Sequence, residues 1–355
     1  MAHDPKREDY QRLVLSMAHQ LEGDSGADVA RAFASFGRRF AQDRDSLPQS
    51  DADRAFHLVA LATEAIDYQL PFASDAEAER LVGRGRDLLD EALKLNPDCY
   101  DAIRMRSSYD VPLVESRFRY LAEREDEVRA GCERLAAQAA PADDDQDDMA
   151  RQLAMRPYWR WLASMAEEAL ICGRNREAEA ICRRALESDP HDSSDVRFTL
   201  AYALAKLEDE AGFGRLEREY AGVSPMRSSD DAWMGIARVA LAHKRCDFAG
   251  ARTQLARLLE AYRGMGACLI RQLELPDGEF ARLSVPPYSE DELVLAVSEG
   301  IVLFQEGVDR TGKGVLGAWV AANVERLDPS AAAAASEPGW GAPARPARPE
   351  GGDRA

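Results

Sequence analysis

A glycine-rich segment near the C-terminal end of the chain resembles a phosphate-binding loop. Residues 307–314 read G-V-D-R-T-G-K-G, and in such a loop backbone amides and a lysine hold the phosphates of a nucleotide. The loop requires Ser or Thr at its last position to bind magnesium, but this chain has Gly314 there. No strand pattern precedes the segment, whereas a working loop lies between a strand and a helix. We therefore interpret the glycines as a helix end followed by a turn.

Histidine and cysteine, which would supply metal ligands or a nucleophile, are sparse and dispersed. No H-E-x-x-H motif, C-x-x-C pair or G-x-S-x-G elbow occurs in the sequence. Most cysteines lie at helical apolar positions, where a thiol behaves as a small hydrophobe, so we expect reduced core residues. The six are Cys99, Cys132, Cys172, Cys182, Cys246 and Cys268. The sequence predicts a protein without catalytic residues, metal or cofactor.

One pair of adjacent carboxylates, Glu167 and Glu168, could in principle serve a hydrolase. On a helix, adjacent residues point about 100 degrees apart, so these two cannot form the facing pair that glycoside hydrolysis needs. A solvated helix face is the simpler interpretation. A hydrolase built from distant residues stays open as an alternative, because one sequence does not show which helices meet.

The elements that would position any site are predicted to be helices. Apolar residues recur at helical spacing, as in Tyr10, Leu13 and Met17, and the alternating pattern of strands is absent. Ser74 and Ser289 each begin a capping-box pattern that predicts a helix start. The predicted organisation is a helical cap at 1–75, helical repeats at 76–328 with an acidic loop at 141–148, and a disordered Ala/Pro/Gly-rich tail at 329–355.

Repeats are the most informative feature of the chain. A tetratricopeptide unit is a pair of antiparallel helices in about 34 residues, with small residues where the helices cross. With Trp159 as the first position of such a unit, Ala178 and Ala185 fall on the close-contact sites and Pro190 on the terminating site. Further units are predicted to start near residues 193 and 230, the last with Ala249 and Ala256 at its small-residue positions. We expect an all-α, right-handed superhelical array of tetratricopeptide-like helix pairs.

Several short strings between residues 96 and 197 form a recognisable series. They are N-P-D-C-Y-D-A at 96–102, R-P-Y at 156–158, E-A at 177–178, D-P-H-D at 189–192 and V-R at 196–197. Together they resemble bacterial members of the suppressor-of-tumorigenicity-seven-like family of tetratricopeptide proteins. The resemblance covers about residues 80 to 320. It implies an all-α repeat scaffold with no established enzymatic activity, and it supplies no substrate.

The repeat pattern also predicts which side chains face the concave surface of the array. Positions two, five and nine of each unit tend to line that surface. Three arginines fall on these positions, and guanidinium groups hold carboxylates by paired hydrogen bonds. The predicted peptide-binding residues are Arg160, Glu167, Arg197, Met234 and Arg238. An alternative interpretation is that these arginines only stabilise helix packing or helix ends.

Charge and hydropathy restrict the partners. The chain carries 63 acidic against 45 basic residues, a formal net charge of −18, which would repel phosphate backbones. The first residues are polar and no long apolar run occurs, so we expect a cytoplasmic protein with neither nucleic acid nor membrane as partner. The favoured function is a non-catalytic scaffold or adaptor that binds a protein segment with acidic or carboxylate groups. The alternative is a sensor of a small anionic ligand, or a regulatory subunit of an enzyme complex.

Overall fold

The computed structural model describes residues 4–21, 25–70, 73–138, 145–223, 230–275, 285–307 and 313–336, and within these ranges it is helical with no strand. The helices are α1 (Pro5–Gln20), α2 (Gly26–Gln42), α3 (Asp51–Thr63), α4 (Asp75–Leu95), α5 (Tyr100–Asp110), α6 (Val114–Gln138), α7 (Asp145–Ile171), α8 (Asn175–Ser188), α9 (Val196–Leu207), α10 (Glu210–Val223), α11 (Ala232–Lys244), α12 (Phe248–Ala261), α13 (Ala267–Arg271), α14 (Glu290–Glu299), α15 (Ile301–Phe304), α16 (Val315–Leu327) and α17 (Pro329–Ser336). The 3₁₀ turn Arg44–Ser46 precedes α3, and the π-helical turn Glu64–Gln69 follows it. The predicted all-α class is confirmed.

Both predicted helix starts are found at their serines, although only one serine caps its helix with its side chain. The Ser289 side chain accepts a hydrogen bond from the Glu292 amide, which satisfies one of the free N–H groups of the first turn of α14. Ser74 precedes α4, but its side chain makes no capping hydrogen bond. A complete capping box occurs instead at Ser50 and Asp53, ahead of α3.

Three consecutive helix pairs follow one another between residues 145 and 261. They are α7 with α8, α9 with α10, and α11 with α12, and in each pair the two helices pack against each other. In the first pair, Ala178 and Ala185 are buried at the helix crossing, as predicted. In the third pair the prediction is wrong, because Ala249 and Ala256 are exposed and α12 buries Ala251 and Leu255 instead.

The predicted boundary at residue 75 cuts through a hydrophobic core. Ala55, Val59 and Ile66, all before that boundary, are buried together with Leu89 and Met105 of α4 and α5. A smaller core cluster joins α1 and α2, and the largest cluster runs from α5 to α17. Helix α3, before that boundary, is therefore packed against α4 and α5.

Two segments that were predicted to lack helix, the acidic loop and the tail, are each helical in part. Residues 329–336 form α17, whose Ala331 is buried against the main core, and residues 337–355 lie outside the described residues. Within the predicted acidic loop, residues 145–148 begin α7, and residues 141–144 lie outside the described part. In the described ranges no helix combines the length and the apolar character that crossing a membrane requires.

Candidate binding site

Arg160, the first of the predicted concave-face arginines, projects into an interior charge cluster. Its guanidinium donates to both carboxylate oxygens of Asp101, at 2.7 and 2.6 Å, and to Glu8 Oε2 at 2.8 Å. Burial alone lowers the pKa of the Arg160 guanidinium, but the two carboxylates outweigh it and raise the pKa above its ordinary value. Arg160 is only 6% exposed. It is committed to internal partners and does not lie on an open wall.

Arg197 is closed off by the loop that precedes its own helix. Its two terminal nitrogens donate to Asp192 Oδ2 at 2.8 Å and Asp195 Oδ1 at 2.7 Å, and the guanidinium lies over the rings of Phe198 and Tyr220. Both aspartates have left-handed backbone conformations, with φ of 49° and 53°, which cost free energy for residues other than glycine. The arginine therefore holds the α8–α9 loop in a tight conformation and is not exposed for a ligand.

Met234 and the residues at the start of α11 are also interior. Met234 is fully buried, and its amide donates to Oδ1 of the buried Asp231, which caps the helix. Tyr220 donates its hydroxyl to the other oxygen of Asp231 at 2.5 Å. Burial raises the pKa of Asp231, and the bonds from Met234 and Tyr220 offset part of that rise. This region is a packed helix start that a peptide does not reach.

The exposure that the predicted peptide-binding wall requires is thus absent at Arg160, Arg197 and Met234. Glu167 is partly buried, and Arg238 keeps 18% of its side chain exposed. Each arginine has different carboxylate partners, and those of Arg238 are Glu217 at 2.5 Å and Asp230 at 3.2 Å. The structure therefore does not bring the five predicted residues together on one surface.

Arg238 instead contributes to a cleft of about 500 Å³ that α10, α11 and α12 enclose. Phe213 of α10 and Leu241 of α11 line this cleft with the small parts that they leave exposed, 3% and 5% respectively. Gly214 is on the α10 side, and a Cβ atom added there would meet nothing closer than the Arg218 side chain at 3.7 Å. We call this space the α10–α12 cleft. Its wall includes side chains from the second helix of two successive pairs.

The α10–α12 cleft carries charges of both signs. Besides Arg238, the cleft contains Arg245, which pairs with Glu210 and lies 4.0 Å from Asp247. Arg257 of α12 also lines it and is exposed, and among the described residues no carboxylate pairs with its guanidinium. Guanidinium groups that are partly solvated can exchange an internal carboxylate for one on a ligand. The arrangement suits a polar or charged segment better than a purely apolar one.

Lys313, in the segment that resembles a phosphate-binding loop, makes a hydrogen bond within the protein. Its ammonium donates to the Ile270 carbonyl at 2.5 Å. The Gly314 amide donates to the Phe304 carbonyl, which closes the turn before α16. Residues 308–312 of this segment lie outside the described residues. Among the residues that the structure does describe, no three His, Cys, Asp or Glu side chains are grouped so that they could hold a metal ion.

The cysteines follow the prediction only in part. All six are free, and Cys99, Cys132 and Cys182 are buried, as expected of core thiols. Burial raises the pKa of the Cys99 thiol to about 11, which keeps it protonated and unreactive. Cys246 departs from the prediction, because it is exposed in the turn between α11 and α12 with a φ of 61°.

The sequence did not predict the partner of Arg160 or the residues of α12 that line the α10–α12 cleft. Glu8, the partner of Arg160, is 152 positions away, and no local spacing signals such a contact. Gln254 and Arg257 line the cleft from α12, whereas the repeat pattern directed attention to the first helix of each pair. Their spacing of three on one helix face was a usable signal, because such residues are neighbours.

Comparisons with known proteins do not identify the chain. Compared with models of protein families, with curated proteins and with solved structures, it gives no significant match to any of them.

Proposed function

We propose that this protein is a non-catalytic helical-repeat scaffold that binds a segment of another protein in the α10–α12 cleft. The proposal keeps the role expected from the repeat pattern but moves the binding surface away from the buried arginines. Stacked helix pairs present long grooves to partner segments, and proteins of this architecture bind by that means. Arg238 is the one predicted arginine that lines the cleft.

The observation that carries this proposal is the combination of volume and chemistry in the cleft. Apolar groups from Phe213 and Leu241 lie beside three arginines in a space of about 500 Å³. A bound segment would place a carboxylate against Arg257, which has no carboxylate partner among the described residues, and apolar side chains against the small exposed parts of Phe213 and Leu241. An acidic side chain or a chain's C-terminal carboxylate fits this position. The proposal requires no cofactor.

The partner is proposed to be a protein, not a nucleic acid. The formal charge of −18 disfavours a polyphosphate ligand over the surface as a whole. Within the cleft, the acids Glu210, Glu217, Asp230 and Asp247 accompany the three arginines. A peptide with both acidic and basic groups can satisfy both kinds of charge, whereas a phosphate backbone cannot.

Membership of the suppressor-of-tumorigenicity-seven-like family remains part of the proposal. The helix pairs between residues 145 and 261 are what that resemblance implies. A right-handed superhelical arrangement of these pairs, as in tetratricopeptide proteins, is proposed on the same basis.

A second candidate function follows from the cleft volume. About 500 Å³ lies within the range of small-molecule sites. The cleft could therefore hold a small anion, and the protein would then be a ligand sensor or a regulatory subunit of an enzyme complex. The two candidates differ in whether a macromolecule occupies the cleft.

A photo-crosslinking amino acid at Gln254 tests the proposal. Gln254 lines the cleft, and Gln138, an exposed residue at the end of α6, is the matched control. We expect a defined protein adduct from position 254 in cells that express the chain, and no such adduct from position 138. Adducts that are the same from both positions, or no protein adduct from position 254, would contradict protein binding in the cleft.

A further inference from the structure

The first helix carries two adjacent carboxylates that are both buried against basic groups of other elements. Glu8 and Asp9 are each 2% exposed. Glu8 Oε2 lies 2.8 Å from Arg160 Nη1 and 3.4 Å from Arg156 Nη1, both in α7. Asp9 Oδ2 lies 2.9 Å from His57 Nδ1 in α3. The acidic edge of α1 is thus enclosed by cationic or hydrogen-bonding groups.

The remaining contacts of α1 with α3 and α7 include many polar ones. Ser16 donates to Asp53 of α3 at 3.0 Å, and Lys6 pairs at 3.1 Å with Glu64, the first residue after α3. The Arg12 guanidinium lies 4.2 Å from the centre of the Phe56 ring. Along α7, Arg156 donates to Gln11 at 2.9 Å and Arg12 donates to the Leu153 carbonyl at 3.2 Å. Charge and hydrogen bonding therefore contribute much of this interface.

The apolar contacts of α1 point to a different neighbour. Leu13 and Met17 form a small core cluster with Phe36 of α2 and Leu47, and the main core cluster contains no residue of α1. Tyr10 packs edge-on against Phe36 at 5.2 Å between ring centres. In α2, Phe36 is the only residue that is buried. Apolar packing therefore joins α1 to α2, whereas polar groups join α1 to α3 and α7.

This division has an energetic consequence. Buried charge pairs contribute little net stability, because desolvation of both partners offsets their attraction. The pair of helices α1 and α2 can therefore leave the rest of the chain at a smaller cost than its buried contacts suggest, while its internal apolar cluster stays intact. The Asp9–Arg44 ion pair, at 2.5 Å, moves with this pair of helices because Arg44 follows α2.

We propose that Phe56 and His57 of α3 with Arg156 and Arg160 of α7 form a binding surface for an acidic helix, which α1 occupies as an intramolecular ligand. We call these four residues the α1 seat. The α1–α2 pair leaves the seat without unfolding the remaining helices, and an acidic helix of a partner with adjacent Glu and Asp residues then takes its place. This surface differs from the α10–α12 cleft, so either proposal can fail without the other.

Helix α1 competes for the α1 seat from within the same chain, which favours it over any helix of a separate molecule. A segment in the same chain competes at an effective concentration of order millimolar. The apparent affinity of a second ligand is reduced in proportion to the fraction of molecules in which α1 has left the seat. Weakening α1 in its own chain should therefore expose the seat to an added helix. A peptide of residues 4–21 is a suitable probe, because it carries the same acidic edge.

Hydrogen exchange on the wild-type full chain tests the opening. We expect the central amides of α1 and α2 to exchange together, faster than those of α9, which is almost entirely buried. The α1 rate should also rise when salt increases from about 0.05 to about 0.5 M, since salt favours separated charges. Exchange of α1 and α9 with the same protection and the same salt dependence would overturn the proposal, because α1 would then open only on global unfolding.

Binding of the labelled peptide tests the seat itself. The full chain with Glu8→Gln and Asp9→Asn should bind the peptide at least about tenfold more tightly than the wild type does, because its own helix competes less well. A peptide with the same two substitutions should not bind either chain. Equal binding of both peptides, or no binding to the substituted chain, would refute the acidic-helix seat. If that chain does not fold, the wild-type exchange experiment still decides whether α1 opens.

Discussion

Arg160 in α7 and Glu8 in α1 form a buried ion pair across 152 positions, with Nη1 and Oε2 2.8 Å apart. Asp101 holds the other side of the same guanidinium. The arginine offsets part of the cost of burying both acids, and Arg12 and Arg156 near Glu8 and Arg104 near Asp101 supply further positive charge. This cluster joins α1 to α7, which belongs to the first of the three consecutive helix pairs.

Replacing this arginine should destabilise the protein strongly. We expect Arg160→Ala to lower the free energy of unfolding by about 3–5 kcal/mol, because two buried carboxylates lose the charge-assisted hydrogen bonds from Arg160. The other arginines near them, Arg12, Arg156 and Arg104, compensate only in part. Urea denaturation followed by circular dichroism measures this loss. Arg183→Ala is the control, since Arg183 pairs with Glu179 on the surface of α8 and should cost about 0.5 kcal/mol. A loss below about 1 kcal/mol for Arg160→Ala would contradict the buried cluster.

Glycine should stabilise the protein at two exposed positions whose backbone conformation is left-handed. Glu208 ends α9 with φ 59°, and Cys246 follows α11 with φ 61°. Glycine adopts this conformation without the Cβ clash, so Glu208→Gly and Cys246→Gly should each stabilise the protein by about 0.5 kcal/mol. Thermal denaturation would show a higher midpoint. Glu219→Gly, on the exposed face of α10, is the control and should instead lose about 1 kcal/mol; a loss at all three positions would exclude the left-handed turns.

The Tyr220–Asp231 hydrogen bond should give a pH-dependent loss when it is removed. Burial raises the pKa of Asp231 in the folded chain. The contribution of this shift to the free energy of unfolding is therefore present at low pH, where Asp231 is protonated, and is lost as pH rises through the folded-state pKa. The Tyr220 hydroxyl stabilises the ionised form, and Tyr220→Phe should therefore raise the pKa of Asp231 further. We expect a loss of about 1–3 kcal/mol at pH 7 and a smaller loss near pH 4.

Unfolding free energies across this pH range would measure the difference. Tyr202→Phe is the matched control, because the Tyr202 hydroxyl donates to the Ala296 carbonyl, which does not titrate. Its loss should be the same at both pH values. A Tyr220→Phe loss that does not depend on pH would show that Asp231 keeps one protonation state throughout.

The sequence predicted the helices well because their signals are local. Periodic apolar residues and small residues such as Ala178 fixed the helix pairs, since both depend on neighbours within one or two turns. Pro97 and Pro190 each follow the end of a helix, but they are not separated by a whole number of 34-residue units. The cause is that α6 and α7, which lie between them, are 25 and 27 residues long, longer than a repeat helix. Pro157 lies inside α7 and does not end it.

The positions of charged side chains were not predictable in the same way. Arg160 and Arg238, at positions two and nine of their units, were both predicted to face the concave surface, yet one is buried with Glu8 and the other lines a cleft. The difference arises because α1 covers Arg160, and that contact joins segments far apart in the sequence. A residue's place in a repeat defines its helix face, but not which other element covers that face.

The claim that the α10–α12 cleft binds a protein segment is tested most directly by filling it. Gly214→Trp places a large side chain in the cleft, at a position with free space around the Cβ atom, and Gly83→Trp in α4 is an equally uncrowded control. The measurement is the dissociation constant of each full-length variant for the protein cross-linked from position 254. We predict wild-type affinity for Gly83→Trp and at least about a tenfold loss for Gly214→Trp. Equal affinities of the two variants would contradict the account.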